Sequence, residues 1–141
     1  MTIHQISVFL ENKFGRLNEI LALLAKENIR IITSVVADTS EFGILRIVAS
    51  DPLKASTILK ENHISANLTE VFAIKTEPRV GDFAKTIEYF TKAGISIEYM
   101  YCFSSKETGI LVLKVSNKEA ALDVIRRNNI ACISESDLLF M

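Results

Sequence analysis

Two hydrophobic periods alternate along the chain. Residues 3 to 10 are mostly apolar and stop at Glu11, which predicts a strand. Leu17, Ile20, Leu21 and Leu24 then fall at helical spacing and lead to Asn28, giving an amphipathic helix with one apolar stripe. Asn28 ends it as a residue that tolerates the left-handed conformation. Ile29 to Ala37 is rich in β-branched residues and predicts a second strand. Asp38-Thr39-Ser40-Glu41 makes a turn and Phe42 to Ala49 returns, an antiparallel hairpin. Asp51-Pro52 opens a second helix, with aspartate as cap and proline in the first turn. Its stripe is Ala55, Ile58, Leu59 and Asn62, and the chain is extended again from Ile64.

The pattern then starts over. A shift of 66 positions carries Glu11 onto Glu77, Gly15 onto Gly81, Lys26 onto Lys92, Ile29 onto Ile95 and Ile31 onto Ile97. Glu41, Gly43, Ile44 and Leu45 fall on Glu107, Gly109, Ile110 and Leu111, and Ser50, Ala55, Asn62 and Ile64 on Ser116, Ala121, Asn128 and Ile130. This is a duplicated unit. The second copy predicts a helix from Gly81 to Ala93 closed by Gly94, and a strand from Ile95 to Phe103. A turn at Ser104 to Thr108, a strand from Gly109 to Val115 and a helix from Lys118 to Asn128 capped by Asn117 follow. A closing strand spans Ile130 to Phe140. Each copy reads βαββαβ, so the fold class is α+β: two tandem ferredoxin-like units, antiparallel sheets with helices on one face, joined side by side. The units span residues 1–69 and 70–141.

Composition narrows the function classes. With 49% apolar residues among 141, there is ample material for two small cores. The net charge of −1 comes without a basic cluster, so nucleic acid is not the expected partner. No apolar run reaches bilayer length and the first one is broken by Glu11 and Lys13, so a cytoplasmic location without membrane attachment is expected. Cys102 and Cys132 form no ligand pair, and both are expected buried and reduced. His4 and His63 have no partners at metal-ligand spacing, and no phosphate loop or nucleophile elbow occurs; no metal, cofactor or catalysis is expected.

The candidate chemistry sits in Glu11-Asn12-Lys13-Phe14-Gly15-Arg16-Leu17 and its copy Glu77-Pro78-Arg79-Val80-Gly81-Asp82-Phe83. Each joins a strand to a helix through a glycine, and helix starts attract anions, so two carboxylate-sized sites are expected. Tyr99, Tyr101 and Phe103 alternate and share one sheet face, either lining a pocket or packing against the helices.

The duplicated βαββαβ order, the Glu-Asn-Lys-Phe-Gly-Arg-Leu loop and the Ile29-Arg30-Ile31 strand start together resemble the ACT domain, in its stand-alone tandem form. That resemblance implies a non-enzymatic sensor of a small molecule, most often an amino acid, bound where the loop of one unit meets the strand after the first helix of another. It implies Asn12 as the loop residue contacting the ligand, with Gly15 beneath it; the second ligand position is Arg30 in one copy and Ser96 in the other. The full set so implied is Leu10, Asn12, Lys13, Phe14, Gly15, Arg16, Leu17, Arg30 and Ser34, with Arg79, Val80, Gly81, Asp82, Phe83, Ser96, Glu98, Tyr99 and Met100. Phe14 and Val80 replace the usual loop proline, and Pro78 stands where Asn12 stands, which favours the first loop. The partners implied are an amino acid, a second copy of the chain as a homodimer, and an enzyme of amino-acid, keto-acid or acyl-CoA metabolism. The alternative is a protein–protein interaction module without a ligand.

Overall fold

The structure, a computed structural model, describes residues 1–38 and 42–141. Most of the expected turn Asp38–Glu41 therefore lies outside the described residues. The chain forms two compact units: one comprises His4–Thr69 with Leu138–Phe140, the other Met1–Ile3, Glu70–Asp137 and Met141.

The elements of the first copy are β1 (Ile3–Glu11), α1 (Arg16–Lys26), β2 (Ile31–Asp38), β3 (Phe42–Ala49), α2 (Pro52–Glu61) and β4 (Ala66–Thr76), which runs on into the second. The second continues with α3 (Asp82–Lys92), β5 (Ile97–Ser105), β6 (Thr108–Val115), α4 (Lys118–Arg127) and α5 (Glu135–Leu138). In the first unit β3 lies between β2 and β1, antiparallel to both, with Val8 opposite Leu45 and Val36 opposite the same Leu45. In the second, β6 lies between β4 and β5 in the same way, with Ile74 and Cys102 both opposite Leu111.

The duplication extends to single hydrogen bonds. All four long helices end in a left-handed residue: Asn28, His63, Gly94 and Asn129. The amide after each reaches back to the helix, Ile29 to Leu24, Ile64 to Leu59, Ile95 to Phe90 and Ile130 to Ile125, all at 2.9–3.0 Å. The two residues of each such bond are apolar, so the chain reversal also buries a hydrophobic contact. Asp51 caps α2 through the Lys54 N–H at 3.1 Å, and Asn117 caps α4 through the Ala120 N–H at 3.0 Å. Arg30 and Ser96 each donate a backbone N–H to a serine hydroxyl, Ser50 and Ser116, both at 3.1 Å.

The cores are separate. Ile6, Val8, Leu45 and Ile47 of the first sheet pack against Ile20, Leu24, Ala55 and Leu59. Phe72, Ile74, Leu111 and Leu113 of the second pack against Phe90, Ala121, Val124 and Ile125. The α1 stripe keeps Ile20 and Leu24 inside, whereas Leu17, the second residue of the helix, is 38% exposed.

Three expectations need correction. The closing strand over Ile130–Phe140 is reduced to one bridge, Cys132 with Ile74, after which Glu135–Leu138 is helical. Ser134 starts that turn, its N–H donating to Asp137 Oδ2 at 2.9 Å, so a local cap outcompetes further strand pairing. Tyr99, Tyr101 and Phe103 do share a face, but they stand opposite Lys114, Val112 and Ile110. That is the reverse of the helix-packed face held by Leu111 and Leu113, so they are not packed against the helices. Cys102 is exposed because it lies on β5, the outer strand of its sheet.

Gly109 pairs with the buried Thr76 across β4 and β6. A Cβ there would stand 2.5 Å from Thr76 Oγ1, and a buried β-branched side chain has little χ1 freedom to yield. Gly109→Ala is expected to cost about 1–3 kcal/mol, and Thr76→Ala in the same chain to recover part of it. Urea unfolding of the two single variants and the double variant measures both.

Candidate functional site

The two strand-to-helix loops share one backbone path. In the first, Lys13 N–H donates to the Glu11 carbonyl at 2.8 Å and Arg16 N–H to the Lys13 carbonyl at 3.1 Å; in the second, Arg79 to Glu77 and Asp82 to Arg79 repeat both distances. Gly15 and Gly81 close the loops at φ 82° and 86°, left-handed values that strain any residue with a Cβ. Neither helix start carries a side-chain cap.

Their side chains diverge. In the second loop Asp82 folds back, and its Oδ2 accepts the Glu77 N–H at 2.9 Å. A carboxylate of the protein thus already sits at that helix start, where helix dipole and amides favour negative charge. Pro78 brings neither an N–H nor a polar side chain. In the first loop the position of Asp82 is held by Arg16, whose Nη1 pairs with Glu19 Oε2 at 3.2 Å. Its Nε is enclosed with no hydrogen-bond partner among the described residues.

The first loop borders a cleft of about 470 Å³ lined by Leu10, Glu11, Asn12, Lys13, Leu17, Val36, Phe42 and Gly43. Register explains the grouping. Leu10 stands opposite Gly43 and Asp38 opposite the same Gly43, so the end of β1, the end of β2 and the start of β3 meet beside the loop. At the rim, Lys13 Nζ and Glu11 Oε2 are 3.2 Å apart and both groups are solvent-exposed. Such a pair is held weakly and exchanges partners easily. The second loop borders a more open hollow made by Glu77, Pro78, Arg79, Gly81, Phe83 and Ala84.

Of the residues implied by the resemblance, Leu10, Asn12, Lys13 and Leu17 come together in the cleft, and Arg16 and Gly15 shape the loop under it. Phe14 and Val80 stand fully exposed at the two loop tips. Arg79, Gly81 and Phe83 share the second hollow. Arg30 lies elsewhere in its unit. It precedes Ile31, which pairs with Ala49, whereas the cleft meets β2 at Val36, five residues or roughly 17 Å further along the strand. Its Nη2 instead reaches the Leu138 carbonyl at 3.5 Å. Ser96 is placed in the second unit as Arg30 is in the first. Ser34 is exposed on β2, opposite Ile47. Glu98 pairs with Lys114 at 3.6 Å, Tyr99 is half-buried and Met100 exposed.

The cleft also holds Glu11, Val36, Phe42 and Gly43, which the resemblance did not single out. The hairpin pattern carried the signal: once Phe42–Ala49 is paired back on the end of the first strand, Gly43 falls opposite Leu10 and Val36 follows on the next strand, opposite Leu45.

The thiols differ in environment. Burial pushes the Cys132 thiol above its ordinary value, while Cys102 is exposed. At mildly alkaline pH iodoacetamide is expected to modify Cys102 first and Cys132 only slowly, because the thiolate is the nucleophile. Mass spectrometry of the digested protein over time reads this order. Among the described residues no cluster of three or more metal-ligating side chains occurs, and no helix is long and apolar enough to cross a membrane.

Comparison with known proteins places this geometry in context. A family model for the ACT domain pair matches residues 1–141. A crystal structure of protein BT0572 from Bacteroides thetaiotaomicron is similar at 38% identity and TM-score 0.93, covering 100% of this chain and 98% of that one. The ligand-free regulatory subunit of aspartate kinase from Thermus thermophilus shares the fold at 15% identity and TM-score 0.61, over 88% of this chain and 90% of that one. The corresponding subunit from Thermus flavus does so at 20% identity and TM-score 0.58, over the same shares. No curated protein matches. With the family model spanning every residue and both copies of the loop in place, the chain belongs to the ACT domain pair family.

Proposed function

We propose that the protein is a regulatory binding protein that takes one free amino acid in the cleft beside Asn12. The observation that carries this reading is the divergence of two loops with one backbone. In the second the Asp82 carboxylate is tied to the Glu77 N–H and the asparagine is lacking, while the first leaves Asn12 and the Lys13–Glu11 pair at the mouth of a cleft. An α-amino acid offers a carboxylate and an ammonium about as far apart as the two members of that pair. Asn12 has an amide that donates and accepts, so it suits either group.

The role is binding rather than catalysis: an amide and an exposed ion pair supply recognition but no activated nucleophile. Ligand would bias the loop and the β2–β3 end between two arrangements, and a partner with unequal affinity for the two would read the change. In line with the ACT resemblance, that partner is an enzyme of amino-acid, keto-acid or acyl-CoA metabolism in the cytoplasm.

Calorimetric titration of each common amino acid tests the reading. At least one is expected to bind the native protein, to lose binding in Asn12→Ala and to keep it in Asp82→Asn. Equal binding by Asn12→Ala would remove the cleft assignment. One observation favours a second reading: Phe14 and Val80, at matching repeat positions, both stand fully exposed. An interaction module using these tips would self-associate with rising concentration in size-exclusion chromatography, whatever amino acid is present.

A further inference from the structure

We infer that the amino acid taken by the cleft has an apolar side chain, branched aliphatic or aromatic; this rests on the amino-acid reading above. Among the described residues that line the cleft, charge and amide belong to Glu11, Asn12 and Lys13. Leu10, Leu17, Val36 and Phe42 supply its apolar lining, and the last three are left 38%, 43% and 39% exposed. Among the described lining residues, a ligand whose zwitterionic head lies on the loop has apolar side chains left to meet its own.

The duplication shows that the fold does not demand those apolar groups. At the equivalent places the second unit carries Thr76 for Leu10, Cys102 for Val36 and Thr108 for Phe42, while Phe83 keeps the position of Leu17 apolar and half-exposed. It forms the same strands in the same register with a complete core. The half-exposed Val36 and Phe42, added to Leu17, are thus a property of the first cleft, not of the repeat. Covering them removes hydrocarbon from water, a gain that scales with the apolar area of the incoming side chain. An acidic or amide side chain placed there would lose its water and find no partner among Leu10, Leu17, Val36 and Phe42. The 470 Å³ volume accommodates a leucine or phenylalanine and falls within the usual range of small-molecule pockets.

The test is a calorimetric series of alanine, 2-aminobutyrate, norvaline, leucine and phenylalanine, beside aspartate, glutamate, glutamine and lysine, on the native chain. The expected result is tightening of roughly threefold to fourfold per added methylene, from burial of each, with the polar and charged members weakest. The double variant Val36→Cys, Phe42→Thr borrows residues the second unit already folds with. It is expected to weaken leucine by roughly tenfold, as loss of apolar pocket contacts does, with little change for alanine. A polar or charged amino acid binding more tightly than leucine and phenylalanine, and lost in Asn12→Ala, would overturn this inference and leave the amino-acid site standing. A series without slope would overturn it equally. No binding by any member would overturn both readings.

Discussion

Phe90→Ala is expected to cost about 3–5 kcal/mol, as aromatic truncation in a closed core does. Phe90 is fully buried on α3, among Phe72, Leu113 and Val124, and its carbonyl accepts the Ile95 N–H that ends the helix. The substitution therefore leaves a void and weakens the apolar contact that fixes the chain reversal into β5. For a unit of this size each kcal/mol moves the thermal midpoint by roughly 4–8 °C. Phe83 makes the internal control. It lies two turns earlier on the same stripe but is 41% exposed at the loop, so Phe83→Ala is expected to cost far less. Scanning calorimetry of the two variants compares them, and equal losses would show that the core extends to the loop.

Saturation with the cognate amino acid is expected to stabilise the native protein by about 2.7 kcal/mol at a hundred times its Kd, because ligand binds only the folded state. Spread over a unit of this size, that is a rise in thermal midpoint of roughly 10–20 °C. Asn12→Ala should remove the response, since among the described residues it deletes the one uncharged polar side chain that lines the cleft. It should leave the unliganded midpoint nearly unchanged, since Asn12 is exposed. Asp82→Asn should do the reverse: the response stays, and the second loop loses the charged hydrogen bond that ties Asp82 to the Glu77 N–H. Fluorimetric melts of the native protein and these two variants, with and without each amino acid, read all four values.

Much of this fold is legible in the sequence because the chain states it twice. Asn28 and Gly94 mark helix ends that the structure confirms at φ 60° and 73°, and Asp51 and Asn117 are the caps they were read to be. His63 and Asn129 play the same left-handed part and were missed, since histidine carries no strong turn signal. Periodicity names Leu17 and Leu24 as one stripe, yet Leu24 is fully buried and Leu17 faces the cleft. Spacing fixes the face of a helix but not where the sheet beneath it ends. The end of the chain misled for a related reason. Ile130 to Phe140 is apolar enough for a strand, but the Ser134–Asp137 cap turns it into a helix after one bridge. The loop motif pointed to Asn12, while Val36 and Phe42 came into view only with strand register, which links residues far apart in sequence.

Amide chemical-shift mapping tests the one-cleft account most directly. Isotope-labelled protein is titrated with a mixture of the twenty common amino acids at millimolar concentration. Shifts concentrated at Asn12, Lys13, Leu17, Val36 and Gly43, with Arg79 to Phe83 unmoved, are the result predicted here. Shifts centred on Arg79 to Phe83, or no saturable shift anywhere in the chain, would contradict it.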